Sequence, residues 1–247
     1  FTPRSMSDVD IENVISEFVR CALWAKAAGY DGVEIIGSAG YLISSFLLAR
    51  TNRRSDSWGG DYKKRMRFAL EIVQRVRVAV GKRFIVIYRI STMEMLEGGS
   101  SWDEVVTLAQ GIEKVGATII NTHFTWHEAQ VPTVSMRVPR AAFTSVTGRL
   151  KKHLSIPVIT SNRINMPEVA EEVLQAGHAD LVSMARPMLA DPEFASKAKA
   201  GRVDEINTCI ACNQACLDHT FSNQRATCLV NPRACYETEL QLSLIHI

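Results

Sequence analysis

Nothing in this sequence is long and apolar enough to cross a bilayer. No run reaches the roughly 18 apolar residues that a spanning helix needs, and no basic-then-apolar stretch opens the chain as a secretory leader would. Neither sign of charge dominates. Lys plus Arg number 28 against 26 for Asp plus Glu, a net charge of +2 that gives no footprint for a nucleic acid or an anionic membrane. Low-complexity and collagen-like stretches are missing as well. With 47% hydrophobic and 22% charged residues over 247 positions, the composition is that of a globular chain. No G-x-G-x-x-G turn follows any apolar run, which weighs against a dinucleotide-binding Rossmann sheet.

The ends are abrupt. The chain opens on Phe1 rather than Met, and Leu242-Ser243-Leu244-Ile245-His246-Ile247 continues no preceding pattern and resembles a translated library adaptor. We expect a piece of a longer protein, with residues 238–247 a non-native or truncated tail. Four of the six cysteines, Cys209, Cys212, Cys216 and Cys228, crowd into one stretch, while Cys21 and Cys235 stand apart. Such clustering in a chain without a secretory signal reads as metal binding in a reducing, cytoplasmic setting rather than as a disulfide framework. The spacing C-x2-C-x3-C-x11-C suits a [4Fe–4S] cluster better than zinc, because the last gap spoils a second zinc knuckle; zinc stays open as the alternative. Cys21 reads as a core residue of the first helix.

Helix and strand patterns alternate along the chain. Ile11, Val14, Ile15, Phe18, Ala22 and Ala25 recur at helical spacing, and Gly29 ends that helix before a strand over Tyr30–Ile36. A long polar loop then runs to about Asp61. Four more strands are expected at Phe84–Ile90, Thr118–Thr122, Pro157–Thr160 and Asp180–Met184, separated by helices. One of these opens on the capping-box sequence Ser101-Trp102-Asp103-Glu104 and another on Pro167. The apolar strands suit a parallel sheet covered on both faces. Chemistry-bearing residues collect just after strand C-termini: Tyr41, Arg89, His127, Asn162 with Arg163, and Ala185 with Arg186. Convergence of several strand ends on one site is how (β/α)8 barrels are used. The expectation is therefore an α/β chain holding the last five βα units of a TIM barrel over 1–203, then a cysteine-rich iron–sulfur segment over 204–237.

Each candidate has a physical reason. Tyr41, at a strand exit, can donate a proton, although a phenol is a slow acid without help and packing tyrosines are commoner. His127, in the loop Trp126-His127-Glu128, can assist the same substrate. Arg89 ends an otherwise apolar strand, so its charge must face a partner or an anion. Asn162-Arg163 and Ala185-Arg186 end the last two strands, where small residues and an Arg before helices form a phosphate cradle.

Together these residues resemble the Old Yellow Enzyme superfamily of FMN oxidoreductases, over nearly all of residues 8 to 237, and within it the 2,4-dienoyl-CoA reductase branch. The carriers are Gly29-Tyr30-Asp31-Gly32-Val33-Glu34, Gly40-Tyr41-Leu42-Ile43, the run from Arg50 to Gly60, Trp126-His127-Glu128-Ala129, and the cysteine motif from Cys209 to Cys216. The resemblance implies that Tyr41 is the proton donor and that His127 orients or stabilises substrate. It places Arg89 beside the flavin pyrimidine edge and gives Asn162, Arg163, Ala185 and Arg186 the FMN phosphate. Cys209, Cys212, Cys216 and Cys228 would hold the cluster, with Arg50 and Glu128 as substrate contacts. It further implies an acyl-CoA substrate from unsaturated fatty-acid oxidation. NADPH would reduce FAD in a C-terminal domain that this chain lacks, with single electrons crossing the cluster to FMN. The first barrel strands are also missing, so the chain alone is expected to be inactive. Two positions depart from the pattern. Ile36 and Ala39 stand where many members carry His with His or Asn to grip a small carbonyl, and the dienoyl-CoA branch commonly has Glu at the position of Ala39. A related enoate reductase or amine dehydrogenase is the alternative enzyme, with Ile36 against the amine branch, and a zinc-binding remnant is the non-catalytic alternative.

Overall fold

The structure is a computed structural model that describes residues 4–131 and 133–241. Phe1 and the terminal hexapeptide 242–247 lie outside the described residues. Five strands form one sheet in sequential order: β1 (Gly32–Gly37), β2 (Ile85–Met93), β3 (Ile119–Phe124), β4 (Val158–Thr160) and β5 (Leu181–Val182). The pairings β1–β2, β2–β3 and β3–β4 are parallel, as expected of consecutive βα units.

The chain divides into two compact units. The first comprises Phe1–Val131, Ser145–Thr160 and His178–Leu181. Its core is built by the amphipathic helices α1 (Asp8–Ala27), α4 (Arg67–Val80) and α5 (Trp102–Lys114) against the sheet. Ile11, Ile15, Phe68, Ile72, Val76, Leu108 and Ile112 meet Val86, Tyr88, Ile90 and Ile120 there. Burial of each such aliphatic side chain stabilises by about 1.5–3 kcal/mol. The expected capping box at Ser101 is present: its side chain accepts from Glu104 N while the Glu104 carboxylate accepts from Ser101 N at 3.0 Å. A second box joins Ser7 to Asp10 at the start of α1.

Several expectations are corrected in this unit. Cys21 is exposed rather than core. The buried stripe of α1 runs through Ile11, Ile15 and Ala22, and Cys21 lies one residue, about 100°, off it. The polar loop after β1 contains a short helix, α2 (Leu42–Leu47), because Ile43, Phe46 and Leu47 are buried, and another, α3 (Tyr62–Arg65), follows the loop. Strand β2 runs past Ile90 to Met93 through the buried Ser91 and Thr92, so Arg89 sits within the strand rather than at its end. Likewise β3 extends to Phe124 and takes in His123, a residue expected in the exit loop.

The second unit comprises Pro132–Thr144, Ser161–Gly177 and Val182–Ile247. It contains α7 (Pro167–Gln175), with Pro167 in its first turn as expected, α8 (Arg186–Ala190) and α9 (Phe194–Lys199). Arg186 therefore opens a helix, with Ala185 as its cap. The buried Asp191 organises the chain beyond α8, accepting from Glu193 N (2.9 Å), Asn207 N (3.0 Å) and Lys197 Nζ (2.7 Å). The expected five-residue last strand shrinks to Leu181–Val182.

Candidate functional site

In the first unit the loops leaving β1 and β3 are stitched together by their backbones. Ala39 bridges Trp126, His127 N donates to Ala39 O at 3.2 Å, and Ala39 N donates to the buried Ser91 Oγ at 3.1 Å. Gly40 has φ +92°, and a Cβ there would lie 2.7 Å from the Trp126 indole, so only glycine lets the ring pack under the turn. The consequence is a fixed pair: the Tyr41 and His127 rings meet edge to face with centroids 4.7 Å apart. Tyr41 caps α2 and is 53% exposed, and its hydroxyl has no hydrogen-bond partner among the described residues. A phenol free of protein partners beside an imidazole is placed to serve a ligand.

Arg50 and Glu128 are brought together at 3.4 Å, both well exposed, and Arg50 also donates to Glu97 O at 3.2 Å. Such a pair contributes little to stability.

One face of the sheet carries a charged layer that sequence reasoning only half finds. Arg89 Nη1 lies 3.6 Å from Glu34 Oε1, Arg89 Nη2 lies 3.3 Å from His123 Nδ1, and Asn121 Nδ2 donates to Glu34 Oε2 at 2.7 Å. Glu34, Asn121 and His123 are absent from the residues that the sequence alone picks out for the site. The available signal is their polar character at alternate positions of otherwise apolar strands. Burial, then the charges of Arg89 and His127, push the His123 imidazole down to about 4. The Asn121 Oδ1 is buried without a partner. Arg89 commits one donor to His123 out of the five of a guanidinium. A half-buried cation with spare donors beside an orphaned acceptor fits a polar ring edge such as that of FMN.

In the second unit, Asn162 (φ +75°) and Arg163 (φ +59°) are consecutive residues in left-handed conformation, a local cost that points to function. Arg163 Nε donates to Val138 O at 2.9 Å, and Arg186 donates to Val134 O at 3.0 Å and to the Asn213 side chain. Burial lowers Arg163 below an ordinary guanidinium; Cys209 opposes this, and the charges of Arg140 and Arg186 add to it. None of these three arginines makes an ion pair among the described residues. Gathered cations without carboxylates fit an anion such as the FMN phosphate.

Cys209, Cys212, Cys216 and Cys228 line one cavity, together with Arg186, Asn213 and Val230. Burial pushes the Cys228 thiol up, and Cys209 and Cys216 add to that rise against hydrogen bonds from Val230 and Asn231. Among the described residues, no three His, Cys, Asp or Glu side chains are grouped to hold a metal ion. No described helix is long and apolar enough to cross a membrane.

Residues 1–205 match the family model described as NADH:flavin oxidoreductase / NADH oxidase. The chain is 46% identical over 98% of its length to a metal reductase of Desulforamulus reducens. It is 40% identical over 94% of its length to an NADH oxidase of Thermoanaerobacter brockii. The solved structure of a 2-naphthoyl-CoA reductase superposes with TM-score 0.92 at 32% identity over 96% of this chain. The chain spans 36% of the length of each of these relatives. It belongs to the NADH:flavin oxidoreductase / NADH oxidase family, whose flavin is FMN and whose barrel-type α/β fold its parallel sheet shares.

Proposed function

We propose that this chain is the flavin-binding part of an iron–sulfur flavin reductase acting on a conjugated acyl-CoA thioester, with 2,4-dienoyl-CoA as its substrate. The observation that carries this reading is the Tyr41–His127 pair, held by the β1 and β3 loops with the phenol hydroxyl left unpartnered. Ile36, 45% exposed and across the ladder from Arg89, supports an extended apolar substrate rather than a small carbonyl gripped by two polar side chains. The coenzyme-A thioester named for the naphthoyl-CoA reductase supports the same substrate class.

FMN, when bound, supplies a hydride to the far carbon of the conjugated system. In the first unit Arg89 would face a flavin pyrimidine edge; in the second, Arg163 and Arg186, with the backbone at Asn162 and Ala185, would hold a phosphate such as that of FMN. Tyr41 then gives its hydroxyl proton to the neighbouring carbon, so the distal π bond is replaced by two C–H bonds. The phenolate is reprotonated from water, and His127 holds the thioester end of the substrate in place. NADPH and FAD, carried beyond this chain, are the proposed source of electrons.

Cys209, Cys212, Cys216 and Cys228 line one cavity, and these four thiols are the donor set that a [4Fe–4S] cluster would use.

The test is stopped-flow reoxidation of the reduced, FMN-loaded protein by dienoyl-CoA without oxygen. Tyr41→Phe is expected to slow that step by about 10²–10⁴-fold, the usual contribution of a positioned proton donor, and to leave flavin reduction unchanged. An unchanged rate in Tyr41→Phe removes Tyr41 from the chemistry. Reoxidation by a ferric chelate but not by dienoyl-CoA would favour instead the activity for which the Desulforamulus relative is named.

A further inference from the structure

Arg89 has two neighbours competing for its guanidinium. Glu34 carries the opposite charge and forms an ion pair with it at 3.6 Å, loose enough to lie beyond hydrogen-bonding reach. His123 lies at 3.3 Å. A guanidinium has no lone pair, so at this contact Arg89 must donate and His123 Nδ1 must accept. The imidazole is therefore neutral, with its proton on Nε2, and Nε2 has no partner among the described residues. The backbone that carries the ring is held by Thr92, whose Oγ1 donates to His123 O at 3.1 Å. Glu34 is held back from the arginine as well: its second oxygen is occupied by Asn121 Nδ2 at 2.7 Å. Register places all four on adjacent strands, with Ile36 opposite Arg89, Arg89 opposite Asn121, and Ser91 opposite His123.

We propose that His123 is a positioning residue for Arg89: its Nδ1 holds the guanidinium away from Glu34, so that the remaining donors stay free for the flavin. This rests on the reading that Arg89 serves FMN. Without the imidazole, the nearest acceptor for the freed arginine is the Glu34 carboxylate. The loose ion pair would tighten there into a charge-assisted hydrogen bond to Glu34 Oε1, occupying a donor and offsetting more of the positive charge. Glu34 thus acts as a trap that His123 keeps unsprung.

The experiment is a redox titration of FMN in the loaded protein, followed by its visible spectrum. It compares His123→Leu, His123→Asn, Arg89→Gln, and His123→Leu combined with Glu34→Gln. His123→Leu is expected to weaken the preference for reduced over oxidised flavin about tenfold, the scale of one charge-assisted hydrogen bond, or about 30 mV for a two-electron couple. His123→Asn, which keeps an acceptor, recovers most of that change. So does Glu34→Gln in the His123→Leu background, because the trap has lost its charge; a merely structural role for His123 would not be cured this way. Arg89→Gln shifts the potential at least as far as His123→Leu. If Arg89→Gln shifts the potential and His123→Leu does not, the positioning role is overturned while the flavin role of Arg89 stands. If Arg89→Gln leaves the potential unchanged, the underlying reading of Arg89 fails and the proposal fails with it. One readout needs no variant: ¹⁵N NMR of the ring should show Nδ1 bare and Nε2 protonated between about pH 6 and 8. A protonated Nδ1 overturns the proposal by itself.

Discussion

Gly40 and Gly60 form a controlled pair for measuring how tightly the Tyr41 turn is built. Their backbones are nearly identical, with φ +92° and +91°. An alanine at either position incurs the left-handed penalty of about 1–2 kcal/mol. The surroundings differ. At Gly60 an added Cβ meets nothing within 4 Å, whereas at Gly40 it would lie 2.7 Å from one indole atom of Trp126 and 2.9 Å from another. Trp126 is buried and cannot swing aside freely, because its backbone bridges Ala39 and the next residue donates to Ala39 O. Overpacking of this kind costs about 1–3 kcal/mol. Gly60→Ala should therefore lose about 1–2 kcal/mol and Gly40→Ala about 2–5 kcal/mol in urea unfolding of the FMN-loaded protein, read at unchanged m-value. The difference between the two variants isolates the Trp126 contact from the backbone strain. Gly40→Ala should also slow substrate reduction, since the Tyr41–His127 spacing depends on that turn. Equal destabilisation of the two variants would refute the close packing of Trp126 beneath Gly40.

Anaerobic reconstitution should load about four irons per chain, with a broad visible absorption that bleaches on reduction, and Cys212→Ser should abolish it; stoichiometric zinc without iron would remove the cluster. Asp191→Ala, which removes the carboxylate partner of Lys197 Nζ, leaving it the Glu205 carbonyl, and strands the amides of Glu193 and Asn207, should cost about 3–5 kcal/mol, and a loss under about 1 kcal/mol in chemical denaturation would contradict its organising role. Burial works to raise the Asp191 pKa, but its bonds to Lys197, Asn207 and Glu193 outweigh that and leave it lowered. A lowered carboxylate adds stability above its ordinary pKa near 4 and loses it as pH falls through the folded value. The wild-type advantage over Asp191→Asn should therefore shrink on acidification.

The elements legible in the sequence are those whose signals are local. Ser101 and Glu104 announce a cap three residues apart, Pro167 fits a first helical turn, and Gly29, Gly81, Gly116 and Gly177 all end helices at positive φ. Strand ends are less legible. Ser91, Thr92 and His123 read as loop by polarity, yet they extend β2 and β3 because their hydroxyls and ring find partners on the neighbouring strand and loop. Tyr41 and His127, 86 residues apart, come together in the sequence only through the family resemblance; no spacing rule joins them, and the bridge between Ala39 and Trp126 is a tertiary fact. Glu34 is visible as a motif letter without a role, because its partner Asn121 lies two strands away.

The arginines proposed to meet the cofactor differ from several others in the company they keep. Arg54, Arg65 and Arg75 each meet a carboxylate, Asp56, Glu104 and Glu12 respectively, while Arg77 donates to the carbonyls of Gly81, Phe84 and Gly116 and keeps one buried Nη2 without a partner. The charges of Arg54, Arg65 and Arg75 are met from within the protein, so these three brace the fold. Arg163 and Arg186 differ. Their protein partners are carbonyls and an amide, and each feels the other's positive charge with Arg140 nearby. Folding gains nothing by bringing like charges together where burial already penalises the charged form. The arrangement becomes favourable when an anion with several acceptor oxygens arrives, and two strained residues, Asn162 and Arg163, hold the backbone where it would bind. Arg89 is the intermediate case: it pairs with Glu34 at 3.6 Å, beyond hydrogen-bonding reach, and meets His123 at 3.3 Å. Among the arginines chosen from the strand ends, Arg163 and Arg186 are without an ion pair among the described residues, whereas Arg89 pairs with Glu34.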